Sequence, residues 1–117
     1  MIKDYSKNYN DLSRLMKELG TKIPETMKSF NNLHEASTAN GALNSKTKEL
    51  IALGISITVR CDGCIAFHVN DALKGGASSE EILETIGVAV MMGGGPALMY
   101  GCEALEALRQ FTVLKQN

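Results

Sequence analysis

A chain of 117 residues in which 44% are hydrophobic and 21% charged suits a single core and is too apolar to be disordered, so one domain spanning residues 1–117 is expected. With 12 basic and 13 acidic residues the net charge is −1, which gives no electrostatic footprint for nucleic acid or an anionic membrane, and neither is an expected partner. The opening Met1-Ile2-Lys3-Asp4-Tyr5-Ser6-Lys7 lacks the apolar stretch of a secretory signal, which predicts a cytoplasmic protein. In that reducing compartment three cysteines suit catalysis or burial better than a disulfide framework.

From Asp4 to Leu19, Tyr5, Leu12, Leu15, Met16 and Leu19 recur at helical intervals, and Gly20 follows as a stop. Pro24 opens a second helix, whose stripe of Met27, Phe30 and Leu33 runs toward Ala39 before Asn40-Gly41 ends it. His34, beside Glu35 on this polar stretch, reads as a surface residue. Asn44 and Ser45 are good caps for a third element. Its second half, Ile55 to Val59, alternates as a strand would, yet no partner strand is visible and a lone strand cannot satisfy its backbone. A helix apolar on most faces, and therefore buried, is the expectation.

Cys61-Asp62-Gly63-Cys64-Ile65-Ala66-Phe67-His68 carries the chemistry. On a helix, Cys61, Cys64 and His68 fall within an arc of roughly 60°, so two thiols and an imidazole can meet. The imidazole, the helix N-terminus and Arg60 all favour a thiolate, and two cysteines at this spacing can close a disulfide. A tetrahedral zinc site would need a fourth ligand, and the leftovers His34 and Cys102 are distant and unpaired, so no metal is expected. Burial of the cysteines as inert core residues is the other alternative.

Glu49 is the only carboxylate on the third element. If the chain reverses near Arg60, Glu49 lies about 11 residues before the corner and His68 about 8 after it, so their heights differ by about 5 Å, one helical turn. Glu49 could then hydrogen-bond His68, directly or through a water, while His68 faces Cys64.

The cysteine helix stops at Gly75-Gly76, and Ser78 with Glu81 forms a capping box for the next, expected to bury Ile82, Leu83, Ile86, Val90 and Met91. Gly93-Gly94-Gly95 lacks the lysine and preceding strand of a phosphate loop and reads as a tight interhelical turn or close backbone packing. It also interrupts the uncharged run Ile86–Cys102, which reads as two buried helix ends and not a membrane span. Pro96 starts a last helix with Leu98, Met99, Cys102, Leu105, Leu108 and Val113 on one side, and Cys102 reads as core. The sum is an all-α fold of about six helices, apolar enough to form an oligomer.

Glu49, then Cys61-Asp62-Gly63-Cys64, then His68, followed by Gly75-Gly76, the Ser-x-x-Glu helix start, Gly-Gly-Gly-Pro-Ala-Leu and a closing Glu-Ala-Leu-Glu-Ala-Leu helix, resembles the carboxymuconolactone decarboxylase family, and more narrowly its alkylhydroperoxidase D-like branch. The resemblance spans about Leu43 to Leu108. It implies an all-helical fold assembling into rings of three or six subunits, and thiol-dependent peroxide or disulfide chemistry without haem or flavin. Glu49, Cys61, Cys64 and His68 match the proton relay and cysteine pair. Where family members active as peroxidases often carry a ring-bearing side chain between the cysteines, this chain has Gly63. The expected function is thus a thiol-dependent peroxidase or disulfide oxidoreductase with no cofactor, a hydroperoxide or disulfide as substrate and a dithiol as reductant. A lyase of the decarboxylase type and a non-enzymatic redox-sensing helical oligomer are the alternatives.

Overall fold

The computed structural model describes residues 3–116, with side chains through residue 113, as five α-helices: α1 (Tyr5–Lys22), α2 (Pro24–Thr38), α3 (Ser45–Thr58), α4 (Asp62–Lys74) and α5 (Ser79–Gln116). Asp4 caps α1 by accepting from the Lys7 amide at 3.0 Å, and Asn44 caps α3 by accepting from Thr47 at 2.8 Å, each satisfying an otherwise free first-turn donor. Before α5, the Ser78 amide donates to Glu81 (2.9 Å) and the Glu81 amide to Ser78 Oγ (3.1 Å), the reciprocal pattern of a capping box. Those contacts hold the Glu81 carboxyl below its ordinary range, through the Ser78 amide first and Lys46 second. Gly20 is no stop: α1 runs through it to Lys22, because an isolated glycine costs a helix only about 1 kcal/mol.

The core forms where α3, α4 and α5 pack together. Leu53 and Ile57 of α3, Ile65, Ala66, Val69 and Ala72 of α4, and Ile82, Ala104 and Ala107 of α5 are wholly enclosed. Arg60 turns the chain between α3 and α4 with φ 63°, the left-handed conformation that reverses direction in few residues. Tyr5 anchors α1 to the far end of α5: its hydroxyl donates to Glu103 (2.6 Å) and its amide to Gln110 (2.7 Å). Burial and the Glu103 carboxylate push that phenol upward, so it stays protonated as a donor.

The last two expected helices are present and run into each other without a loop at a kink at Gly94, whose φ 69°, ψ −150° only glycine readily adopts, so they form the two arms of α5 and the elements number five. The bend is sharp. A Cβ on Gly101 would stand 3.0 Å from Ile86 Cγ2, and one on Gly93 would stand 2.6 Å from Ala97 Cβ, so the glycines let the two arms close on each other. By length and composition α5 could cross a membrane, yet the bend breaks it and its alanine face packs against the other helices.

The inside of α5 is as expected at Ile82, Ile86 and Leu108 and differs elsewhere. Ala89, Ala97, Ala104 and Ala107 point inward with Leu108 and Phe111, because the arms approach too closely for larger side chains. Leu83, Met91, Leu98, Met99, Leu105 and Val113 point outward, and so does Cys102, which is exposed and not core. Likewise α3 is not buried on most faces: Ile51, Ile55 and Val59 are exposed. They line, with Val88 and Met92, an open apolar groove of about 480 Å³ between α3 and the first arm of α5. Nothing in α2 is buried, and Phe30 and Leu33 stand in the open.

Candidate active site

Cys61 is not in the first turn of α4 but caps it: its backbone is extended and its Sγ accepts from the Cys64 amide at 3.2 Å. The helix N-terminus therefore faces the sulfurs, where its partial positive charge favours a thiolate in the reduced protein. Cys61 and Cys64 are joined as a disulfide, with Cα atoms 5.2 Å apart. The pair expected to exchange electrons is thus already in bonding geometry.

His68 lies one turn beyond Cys64 on α4, and its Nδ1 donates to Glu49 Oε2 on α3 at 2.8 Å. The contact predicted from the heights of the two residues about the corner is direct. Since a carboxylate only accepts, Nδ1 is the donor in this bond, and Nε2 is the ring nitrogen that it leaves uncommitted. Glu49 is 7% exposed, held under α4 where its charge is poorly hydrated and its bond to His68 correspondingly strong.

Between the cysteines, Gly63 lies under the tip of Leu12 from α1. A Cβ there would stand 2.9 Å from Leu12 Cδ1. The segment leading into that helix is tied to the motif by an ion pair between Lys3 and Asp62, and the helix itself by Tyr9, whose ring lies tilted against Phe67 with centroids 4.5 Å apart.

Asp71, which sequence reasoning passed over, and His34, which it read as a surface residue, join the site from behind. Asp71, one turn past His68 on α4, and His34, from α2, bring ligand atoms within 4.8 Å of each other and of Glu49. Burial, and then the Glu49 charge, hold the Asp71 carboxyl above its ordinary range, partly offset by His68, Lys74 and His34. The three-residue spacing from His68 was the available signal for Asp71. For His34 there was none, because its placement depends on how α2 folds back.

The profile of the carboxymuconolactone decarboxylase family matches residues 24–107, including every residue of the relay. An uncharacterized protein of Cupriavidus necator is 34% identical over 90% of this chain and 93% of its own. An uncharacterized protein of the cox locus of Paracoccus denitrificans is 39% identical over 68% of this chain and 71% of its own. Among solved structures, a carboxymuconolactone decarboxylase family protein from Legionella pneumophila in its apo form is 46% identical, with a TM-score of 0.88 over 92% of this chain and 96% of that one. One from Thermotoga maritima, put forward as a candidate in the antioxidative response, is 32% identical, with a TM-score of 0.85 over 93% of both chains. The chain belongs to the carboxymuconolactone decarboxylase family and has its alkylhydroperoxidase D-like all-helical fold.

Proposed function

We propose that the protein is a thiol-dependent peroxidase or disulfide oxidoreductase, with Cys64 as nucleophile, Cys61 as resolving thiol, His68 as base and Glu49 as the group that orients it. The observation that carries this reading is the 2.8 Å hydrogen bond from His68 to a buried Glu49, set one turn from a cysteine pair in disulfide geometry. The antioxidative role put forward for the Thermotoga protein supports it.

In the reduced protein His68 Nε2 takes the Cys64 proton, and Glu49 stabilises the imidazolium that results. The thiolate attacks one peroxide oxygen: an S–O bond forms, the O–O bond breaks, and the alcohol leaves with the proton from His68. Cys61 then attacks the Cys64 sulfenic acid, forming the disulfide and releasing water. An external dithiol restores both thiols by two exchanges, becoming a disulfide itself. With a disulfide as substrate the first step is an exchange at sulfur instead.

The Cys64→Ser variant is expected to lose hydroperoxide consumption, and undiminished turnover would refute the assignment. Turnover of a lactone that survives alkylation of both cysteines would favour a lyase. A thiol titrating near pH 8.5, the value of a free cysteine, and slow to form the disulfide with stoichiometric peroxide, would favour a redox-sensing module.

We also propose that the active form is a homo-oligomer in the cytoplasm. The chain exposes 7294 Å², against about 6,200 Å² for a compact monomer of 12.6 kDa. Much of the excess is apolar, in the α3–α5 groove and on α2. A second copy of the same apolar face is the occupant that suits it. Sedimentation is expected to give a trimer or hexamer, and a stable monomer at micromolar concentration would contradict this.

A further inference from the structure

Behind the relay, three helices converge on one point. Glu49 is buried on α3, Asp71 is half-buried on α4, and the exposed His34 of α2 completes a triangle of one imidazole nitrogen and two carboxylate oxygens within 4.8 Å of one another. Among the described ion pairs neither carboxylate has a lysine or arginine partner; Glu49 has only His68, and Asp71 has none. The nearby Lys74 makes no ion pair with either carboxylate; its ammonium lies 3.5 Å from the Tyr9 hydroxyl and 5.6 Å from its ring centroid. Among the described residues no lysine or arginine bridges these two neighbouring carboxylates, so a cation between them would offset their repulsion, and the exposed His34 gives one a path from solvent.

We propose that His34, Glu49 and Asp71 form a binding site for a divalent transition-metal ion that ties α2 to the α3–α4 hairpin. The donor set of one nitrogen and two oxygens suits manganese, iron or zinc, with open coordination positions left to water. Around an ion with bonds of about 2.1 Å, opposite ligand atoms stand at most about 4.2 Å apart, so the observed triangle needs only a small closure. The exposed His34 side chain is free to make that adjustment, since its ring has no hydrogen bond among the described residues. The Glu49 oxygen not facing His68 is the one that would bind, which leaves His68 as an outer partner that orients a ligand.

Such an ion would matter most to α2, which buries nothing and is held at its C-terminal end by two bonds, Ser45 Oγ to the Thr38 carbonyl and Lys48 Nζ to the Ala39 carbonyl, both 2.6 Å. A ligand at His34 fastens the body of the helix. The site shares Glu49 with the relay but uses no sulfur, so ion binding by the oxidised protein is read separately from thiol reactivity.

The test uses oxidised full-length protein freed of metal by chelation, so that Cys61 and Cys64 are unavailable as ligands. Mn²⁺ is the probe, followed through loss of the free-ion electron paramagnetic resonance signal and through the melting temperature. One ion bound per chain is expected, with affinity weakened at least about tenfold in His34→Ala and in Asp71→Asn, because loss of even an outer partner typically costs 10–100-fold. The exposed Glu25→Gln, also on α2, should bind as the parent does. Mn²⁺ should raise the melting temperature of the parent and not that of His34→Ala, whose exposed position does not endanger folding. No depletion of free Mn²⁺ at millimolar protein, or depletion that either ligand variant leaves unchanged, would overturn the proposal.

Discussion

The two helical hairpins of this chain resemble each other in length and differ in nearly everything else. In the α3–α4 hairpin, Leu53, Ile57, Ile65, Ala66 and Val69 are fully enclosed and Glu49 is locked to His68 across the corner. In the α1–α2 hairpin only Tyr5 is fully buried, while Leu15, Met16, Leu19, Ile23, Phe30 and Leu33 face outward. The proposed proton transfer requires groups fixed to fractions of an ångström, and those groups sit in the enclosed hairpin. The outer hairpin contributes by covering, through Leu12 over Gly63, and by what it offers to neighbours.

The sharpest way to break the comparison is at the relay. His68→Gln should lower the peroxidase rate by about 10²–10⁴-fold and abolish any pH dependence due to imidazole, with little change in folding. A loss below tenfold, measured under saturating dithiol, would remove the imidazole from the mechanism. Next in size, Leu53→Ala and Leu33→Ala make the same chemical change in the two hairpins. The first should cost about 2–5 kcal/mol in urea unfolding. The second should cost no more than about 0.5 kcal/mol in a monomer, so a much larger loss at Leu33 would show that another subunit covers it.

Gly63→Ala should change stability by no more than about 1 kcal/mol, because the close approach is to Leu12 Cδ1, the tip of a side chain that can turn away, and a helical alanine is worth about 1 kcal/mol over glycine; the change should be coupled to Leu12→Ala. Absence of coupling between the two would mean that α1 does not rest on the motif. The smallest effect is at the α5 cap. Because Glu81 is held below its ordinary range, its charge contributes stability that is present above the usual carboxyl pKa and is lost as pH falls through the lowered value. The stability gap between the parent and Glu81→Gln should therefore narrow as pH drops from neutral to about 3, a trend readable from urea midpoints.

Local chemistry made the α3–α4 hairpin readable in advance. A capping asparagine, a helix stop at Gly75-Gly76 and the eleven-and-eight spacing about the corner were enough to place Glu49 against His68. Burial was not readable in the same way. The outward Met91, Met99 and Cys102 and the inward alanines of α5 reverse the usual ranking, because a sequence records how apolar a face is and not whether its cover is the same chain. The covering of Gly63 by Leu12 and the approach of His34 to Asp71 are contacts between distant segments, which no local pattern encodes.

The acid and the imidazole belong to different rods joined at Arg60, a residue in the left-handed region. The proposed reactivity is therefore yoked to a joint. Loosening the corner by heat, denaturant or a misplaced side chain parts the carboxylate from the ring while both helices are still wound, so loss of thiol reactivity should precede loss of helical signal during gentle denaturation.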